Sequence, residues 1–209
     1  MRRPLHRRQL LENCLALGTL TLASPFGLAG AARAWGASER RPPTPFCELG
    51  PFYKRRAPTS GVLRSEGDPG MPLAIFGAVF GTGGELLPGA TVEVWQTDHA
   101  GVYDIDGYRY RAVLTADTKG SYAVESVMPG HYPSRVAQHV HYLVTAPGYR
   151  PLTTQLYFAT DPAFEGDPEK NFRRDPLITS RELVRPVTIE GDPKVVRARV
   201  QFDLVLEKA

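Results

Sequence analysis

The 209-residue sequence carries 25 basic and 22 acidic residues, a formal net charge of +3 at neutral pH. The basic excess lies at the start of the chain, where residues 1–34 contain five arginines and a single acid, Glu12. Without that stretch, 20 basic and 21 acidic residues remain, a net charge of −1. A nucleic-acid partner is therefore not expected. Cys47 is the one cysteine after residue 34, which excludes a disulfide within that part and a cysteine-based metal site.

Residues 1–34 have the features of a secretory signal, namely a basic start, a short apolar run at 15–23 and a small-residue cleavage pattern at 32–34. The apolar run is too short to span a bilayer, so no stable membrane anchor is expected. Residues 6–11 (HRRQLL) resemble a twin-arginine signal, which exports folded proteins. An ordinary secretory signal is the alternative. We therefore predict export to the periplasm or the medium by the machinery that recognises the signal.

Residues 35–45 are polar and rich in proline, which predicts a flexible connecting segment. Residues 46–209 are sufficient for one domain with a full core. Their hydrophobic pattern has a period of two, and no stretch predicts a convincing amphipathic helix. The predicted strands are 72–79, 90–95, 108–114, 121–125, 140–146, 153–158 and 197–206.

Turn sequences rich in glycine, proline and aspartate separate these strands. Short strands with a turn about every ten residues predict an all-β fold, specifically a β-sandwich. Residues 161–175 are too polar for a strand, and we expect them to form a long surface loop. Cys47 is expected to be a buried thiol.

Two histidines one residue apart, His139 and His141, lie on one predicted strand. Alternate side chains of a strand point to the same face, so the two imidazoles should converge on one point. Tyr132 lies seven residues before His139, and Tyr103 lies further upstream. Phenolates are hard anionic ligands and imidazoles are borderline ones, a mixture that suits ferric iron better than zinc or calcium. The neighbouring tyrosines at 108 and 110 are alternatives to Tyr103.

Several motifs in the same order resemble those of the intradiol ring-cleavage dioxygenases. The resemblance covers roughly residues 45–206, and its motifs are GPFY at 50–53, PGATVEVWQTD at 88–98, GVY at 101–103, PGHYP at 129–133, HVH at 139–141 and QLYF at 155–158. It implies a prealbumin-like β-sandwich with long loops around a non-haem Fe(III) site.

The resemblance also implies roles for individual residues. Tyr103 and Tyr132 match the two tyrosinate ligands, the second being released when substrate binds, and the two histidine ligands match His139 and His141. Gln155 matches a glutamine near the bound ring. The family places an arginine three residues before the first histidine, where this chain has Val136, and Arg135 lies one position earlier. In a regular strand Arg135 would share the face of His139, so we expect it to serve as the catalytic arginine.

The implied reaction takes a small catechol-type substrate and dioxygen to a muconate-type diacid, by cleavage between the two hydroxyl-bearing carbons. The alternative is a non-catalytic, prealbumin-like β-sandwich binding module, because fold alone does not define function. The set of four metal ligands separates the two hypotheses, since a binding module has no need of it. No role is expected for Arg64, Arg109, Arg111 and Arg150, for which the solvated surface is the default expectation.

Overall fold

The computed structural model describes residues 39–191 and 196–209. The predicted signal at 1–34 lies outside the described residues, so it stays a prediction, as do the domain boundaries drawn from it. Within the described residues, no helix is both long enough and apolar enough to cross a bilayer.

The described residues form two five-stranded sheets, which confirms the predicted all-β sandwich. The first sheet contains β1 (Pro72–Gly81), β4 (Ser121–Val127), β8 (Thr188–Glu190), β9 (Arg197–Gln201) and β10 (Leu204–Leu206). The second sheet has the order β3-β2-β5-β6-β7 and contains β2 (Thr91–Trp95), β3 (Arg111–Thr115), β5 (His139–Thr145), β6 (Leu152–Phe158) and β7 (Val184–Arg185).

Strand β1 is the centre of the first sheet. It pairs antiparallel with β4 on one side, and parallel with β9 and then β10 on the other. A single strand was predicted over 197–206, but the chain leaves the ladder at Phe202 and Asp203. Gly77 lies opposite this break, where a Cβ atom would come within 2.0 Å of the Phe202 carbonyl oxygen. The glycine therefore permits the close crossing that divides the predicted strand into two.

The core lies between the sheets and follows the predicted alternation. In β4 the burial alternates between Tyr122, Val124 and Ser126 inside and Ala123 and Glu125 outside. The second sheet is buried more continuously, because loops cover the face that does not contact the first sheet. The fully buried side chains of Val92, Val140, Val144 and Leu204 belong to this core. Cys47 is also fully buried, as predicted.

Two predicted segments differ in detail. Residues 161–175 form more than a surface loop, because they contain helical turns at Pro162–Phe164 and Phe172–Arg174 and a one-turn helix, α1, at Pro168–Asn171. Phe164 anchors the segment in the core. Strand β3 begins at Arg111 rather than at 108, because Tyr110 has a φ of 54°, which is incompatible with a strand.

Residues 39–45 have no regular secondary structure, yet they are attached to the sandwich. The amide of Arg41 donates to the carbonyl of Thr82 at 3.1 Å, and that of Thr44 donates to Val205 at 3.1 Å. The part of the expected flexible segment that the structure describes therefore runs along the first sheet.

Replacing Leu204 with alanine should lower the free energy of unfolding by about 2–5 kcal/mol, because the fully buried side chain would leave a cavity between the sheets. Leu86→Ala is the matched control, since Leu86 is 46% exposed and should lose less than about 1 kcal/mol. Urea denaturation of the two variants measures the difference. Equal losses would contradict the placement of β10 in the core.

Candidate functional site

The ends of three adjacent strands place the histidines. His141 pairs with Trp95 of β2 on one side and with Gln155 of β6 on the other, and His139 pairs with Tyr157 of β6. The imidazole centroids are 4.9 Å apart. The predicted convergence of the two side chains on one face is therefore confirmed.

Hydrogen bonding defines the tautomer of His139. Its Nδ1 lies 2.8 Å from the carbonyl oxygen of Ala137, which can only accept, so Nδ1 carries the proton. The lone pair on Nε2 then points toward the hydroxyl of Tyr132 at 3.5 Å. Burial lowers the pKa of His139 to about 4, with the nearby guanidinium of Arg135 adding to the shift. Burial also lowers the pKa of His141, so both imidazoles are neutral at neutral pH and free to act as ligands.

A backbone contact between two loops brings the tyrosines to the histidines. The loop after β2 carries Tyr103, and the loop before β5 carries Tyr132. They meet at Gly101 and Gly130, where the amide of Gly130 donates to the carbonyl of Asp98 at 2.7 Å. A Cβ atom on Gly101 would lie 1.8 Å from the carbonyl oxygen of His131. This approach leaves the two phenol rings 5.5 Å apart between centroids.

Tyr103 has the less satisfied hydroxyl of the pair. The group is buried without a hydrogen-bond partner, and burial together with the nearby Tyr132 raises its pKa above the ordinary value. A buried unpaired hydroxyl costs about 1–3 kcal/mol. The alternatives point elsewhere, because the hydroxyl of Tyr108 donates to the carbonyl of Arg55 and that of Tyr110 donates to Asp68. Tyr103 is therefore the tyrosine of this loop that faces the histidines.

The chemistry of Tyr103, Tyr132, His139 and His141 indicates which kind of metal ion they could bind. Among the described residues, no group of three or more His, Cys, Asp or Glu side chains is arranged to hold a metal. A metal at this point would need the two phenols as well as the imidazoles. A cation there would give the unpaired Tyr103 oxygen a partner and would favour its anion. The residues present therefore suit a hard, highly charged cation.

Arg135 also reaches the site, although the expected strand geometry is wrong. Residues 132–138 form a turn, with the amide of Arg135 donating to the carbonyl of Tyr132 at 2.9 Å. The turn directs the side chain inward, where it is only 8% exposed and its Nη1 lies 3.2 Å from His139 Nε2. This turn thus brings Arg135 to the site, while Val136, at the position implied by the resemblance, is exposed to solvent.

Gln155 joins this arginine to the strand beside the histidines. Its Oε1 accepts from Arg135 Nη2 at 3.0 Å and from the Tyr157 hydroxyl at 2.6 Å, while its Nε2 donates to the carbonyl of Glu48 at 2.9 Å. Gln155 therefore lies next to the histidines, and its expected place near a bound ring stays a prediction. Tyr157 and Asp175, which also bind Arg135, were not identified from the sequence. Tyr157 could have been found from the sequence, because it lies two residues after Gln155 on the same predicted strand and therefore on the same face.

The GPFY segment closes over the same cluster. Phe52 stacks on Tyr103 with ring centroids 4.3 Å apart, and a Cβ atom on Gly50 would lie 3.1 Å from His141 Cε1. Trp95 stacks on His141 with an interplanar angle of 8°. The motif residues therefore pack around the two tyrosines and two histidines and restrict the orientation of their rings.

The prediction that Arg111 lies on the solvated surface is wrong. Its guanidinium is buried and donates to the carbonyl oxygens of Phe52 and Asp104, and it lies 5.8 Å from the Tyr103 ring centroid. Beside it, a cavity of about 450 Å³ is lined by residues of the 98–110 loop, among them Val102, Tyr103 and Ile105.

Comparisons with known proteins agree with this geometry. A family model described as "Dioxygenase" matches residues 49–208. A hydroxyquinol 1,2-dioxygenase of Rhodococcus opacus is 35% identical over 76% of this chain and 62% of its own length. A chlorocatechol 1,2-dioxygenase of Pseudomonas putida is 32% identical over 76% of this chain and 66% of its own length.

Two solved structures share the fold. One is the dioxygenase domain of a dioxygenase carbohydrate-binding protein fusion from Streptomyces sp. SirexAA-E, with a TM-score of 0.68, 32% identity, and coverage of 80% of this chain and 100% of that one. The other is catechol 1,2-dioxygenase from Acinetobacter sp. ADP1, with a TM-score of 0.67, 28% identity, and coverage of 81% of this chain and 64% of that one.

The chain belongs to the intradiol ring-cleaving dioxygenase family. It spans less than two thirds of the first curated relatives, 62% of one and 52% of another.

Gly101→Ala should separate the two tyrosine loops, because the new methyl group would overlap the carbonyl oxygen of His131. Gly89→Ala is the matched control, since Gly89 has a similar φ of 77° but no atom near its Cβ position. Both variants should lose about 1–2 kcal/mol to left-handed backbone strain. Only Gly101→Ala should show a larger decrease in the free energy of unfolding. Chemical denaturation of both variants measures the difference. Equal losses would mean that the loop contact is not tight.

Proposed function

We propose that the protein is a non-haem Fe(III)-dependent dioxygenase that cleaves a catechol-type ring between its two hydroxyl-bearing carbons. The observation that carries this proposal is the convergence of Tyr103, Tyr132, His139 and His141, all but Tyr132 buried, in one cluster of a chain in this family. A non-catalytic binding module would gain nothing from gathering these four polar side chains and leaving the buried Tyr103 hydroxyl without a hydrogen-bond partner. Membership of the intradiol dioxygenase family also favours an enzyme over a binding module.

The four converging side chains are proposed as the iron ligands. Two phenolates and two neutral imidazoles leave one unit of positive charge on Fe(III), which a hydroxide would neutralise. When bound, ferric iron supplies a Lewis-acidic centre that the two adjacent oxygens of a catechol can chelate. Support for phenolate ligands comes from the unpaired Tyr103 oxygen and from Arg111, a buried cation beside the same ring.

Tyr132 is the proposed proton acceptor. It is the one member of the ligand set that is not fully buried, which suits the ligand that leaves when substrate binds. Its phenolate Oη would accept one of the two protons that the catechol loses on binding. Tyr132 is therefore proposed to act both as a ligand and as a base.

Arg135 is the proposed cation for the charge that develops on the substrate ring. Its Nη1 points toward the ligand set, and its other nitrogens are held by Asp175, Gln155 and Tyr157. A fixed buried cation stabilises a developing anion without reorganisation, and loss of one such donor typically costs about 10²–10³ in rate. Gln155 is proposed to orient the guanidinium beside the bound ring.

The proposed reaction balances without a reductant. One dioxygen molecule adds to the ring, the bond between the two hydroxyl-bearing carbons breaks, and both oxygen atoms remain in the diacid. The printed names of relatives supply candidate substrates, namely catechol, chlorocatechol and hydroxyquinol. The apolar side chains of Val102 and Ile105 beside the site suit a small aromatic molecule.

With catechol and ¹⁸O₂, the protein should form cis,cis-muconate that carries both labelled atoms, without added reductant. Mass spectrometry of the product and oxygen uptake measure this result, with hydroxyquinol and chlorocatechol assayed in parallel. A yellow semialdehyde would show cleavage beside the diol and would contradict the proposed bond. No turnover of any catechol by iron-loaded protein would refute the activity.

The purified protein should hold close to one iron per chain and absorb broadly in the visible range, because phenolate-to-Fe(III) charge transfer is coloured. His139→Ala should lose most of the iron, since one of four ligands is removed and no cysteine can substitute. His99→Ala is the matched control, because His99 is exposed, and it should keep both iron and colour. A colourless zinc protein, or equal iron content in the two variants, would contradict the assignment.

We also propose export by the twin-arginine route, for which residues 6–11 are the support. This route carries folded proteins, so iron could be loaded before translocation. Changing Arg7 and Arg8 to lysine should leave the protein in the cytoplasm, as measured by fractionation and immunoblotting. Normal export of that variant would contradict the twin-arginine assignment and leave the enzymatic proposal intact.

A further inference from the structure

Asp175 is a buried carboxylate that no catalytic step described above uses. It lies at the end of the 161–175 segment, and its side chain is 1% exposed. A buried carboxylate needs several hydrogen-bond donors to offset the loss of water. Two of the donors that Asp175 binds, one from Arg135 and one from Ala137, belong to the turn between Tyr132 and His139.

The carboxylate joins two parts of that turn. Its Oδ2 accepts from Arg135 Nε at 3.1 Å and from the amide of Ala137 at 3.1 Å, while Oδ1 accepts from the amide of Leu177 at 3.0 Å. Ala137 in turn accepts through its carbonyl from His139 Nδ1. One side chain is therefore connected both to the guanidinium and to the imidazole.

The bond to Asp175 determines which edge of the guanidinium faces the site. With Nε held by the carboxylate, Nη2 donates to Gln155 Oε1 at 3.0 Å and to the Tyr157 hydroxyl at 2.7 Å. Nη1 is then the nitrogen that lies beside His139. A guanidinium is planar, so fixing Nε and Nη2 also fixes the direction of the Nη1 protons.

We propose that Asp175 is a positioning residue, which holds the guanidinium of Arg135 in the orientation that ring cleavage needs. This inference rests on the proposed function. Asp175 would not touch the substrate, and it would act through the guanidinium. An amide cannot replace it, because one of its two ends would direct N–H groups at donors that now bind a carboxylate oxygen.

A double-mutant cycle with Arg135→Leu tests the route of action. Asp175→Asn should lower kcat by about 10- to 100-fold with a smaller change in KM, as is usual for residues that orient an active-site group. If Asp175 acts through Arg135, the double variant should turn over no more slowly than Arg135→Leu alone. Losses that multiply, or a wild-type rate for Asp175→Asn, would overturn the proposal.

Asp167→Asn is the matched control. It makes the same chemical change on the same segment, but Asp167 binds Lys170 at the surface and caps α1. Its kcat should equal that of the parent. A decrease in kcat equal to that of Asp175→Asn would show that loosening the 161–175 segment by itself slows turnover. This result would also overturn the positioning role.

A readout without turnover separates failure of this inference from failure of the proposed function. With diamagnetic gallium(III) loaded in place of paramagnetic iron, the NMR signal of Arg135 Nε–H, assigned by its absence in Arg135→Leu, should exchange slowly with water in the parent and faster in Asp175→Asn. Unchanged exchange would overturn the inference, whether or not any catechol is cleaved. If Asp175→Asn does not fold, Asp175→Glu serves for both measurements, and it should also speed exchange because the added methylene displaces the carboxylate.

Discussion

The register of β5 between β2 and β6 is the constraint on which the site depends. It aligns Trp95, His141 and Gln155 across three strands, and it sets Tyr157 beside His139. A slip of one residue would turn both histidines to the opposite face of the sheet. The sandwich core prevents such a slip, because Val140 and Val144, together with Tyr142, would then leave the interior. The hydrophobic core and the polar cluster are thus fixed by the same hydrogen-bonded ladder.

Loops complete what the strands begin. The tyrosines approach through a contact of two glycine backbones, and the arginine enters through a turn that two buried aspartates hold. Asp175 binds the amide of Ala137, and Asp161 binds that of Gln138 at 2.6 Å as well as the ring of His131 at 2.8 Å. The polar 161–175 segment is therefore a support for the site. Its carboxylates satisfy backbone donors that would otherwise be buried without partners.

The sequence was sufficient for features that depend on local periodicity. Alternation predicted most of the strands, and the His-x-His spacing on one of them predicted two converging imidazoles. Features that depend on distant contacts could not be found in this way. Asp175 meets Arg135 from forty positions away, and Arg111 is buried by the carbonyls of Phe52 and Asp104. Nothing in the composition of a polar loop distinguishes a carboxylate that faces solvent from one that faces inward.

The parallel pairing of β1 with β9 and β10 has a consequence for the order of folding. Leu73 pairs with Ala198, and Val79 pairs with Leu204, so the centre of the first sheet lacks one edge until residues 198–206 have left the ribosome. Pairings this distant in sequence are slow to form, because the chain must lose loop entropy before it gains contacts. The second sheet, with its shorter loops between β2, β3, β5 and β6, can assemble earlier. The histidine ladder would therefore exist before the sandwich closes over its core, and during that interval the apolar face of β1 is open to chaperones or to aggregation.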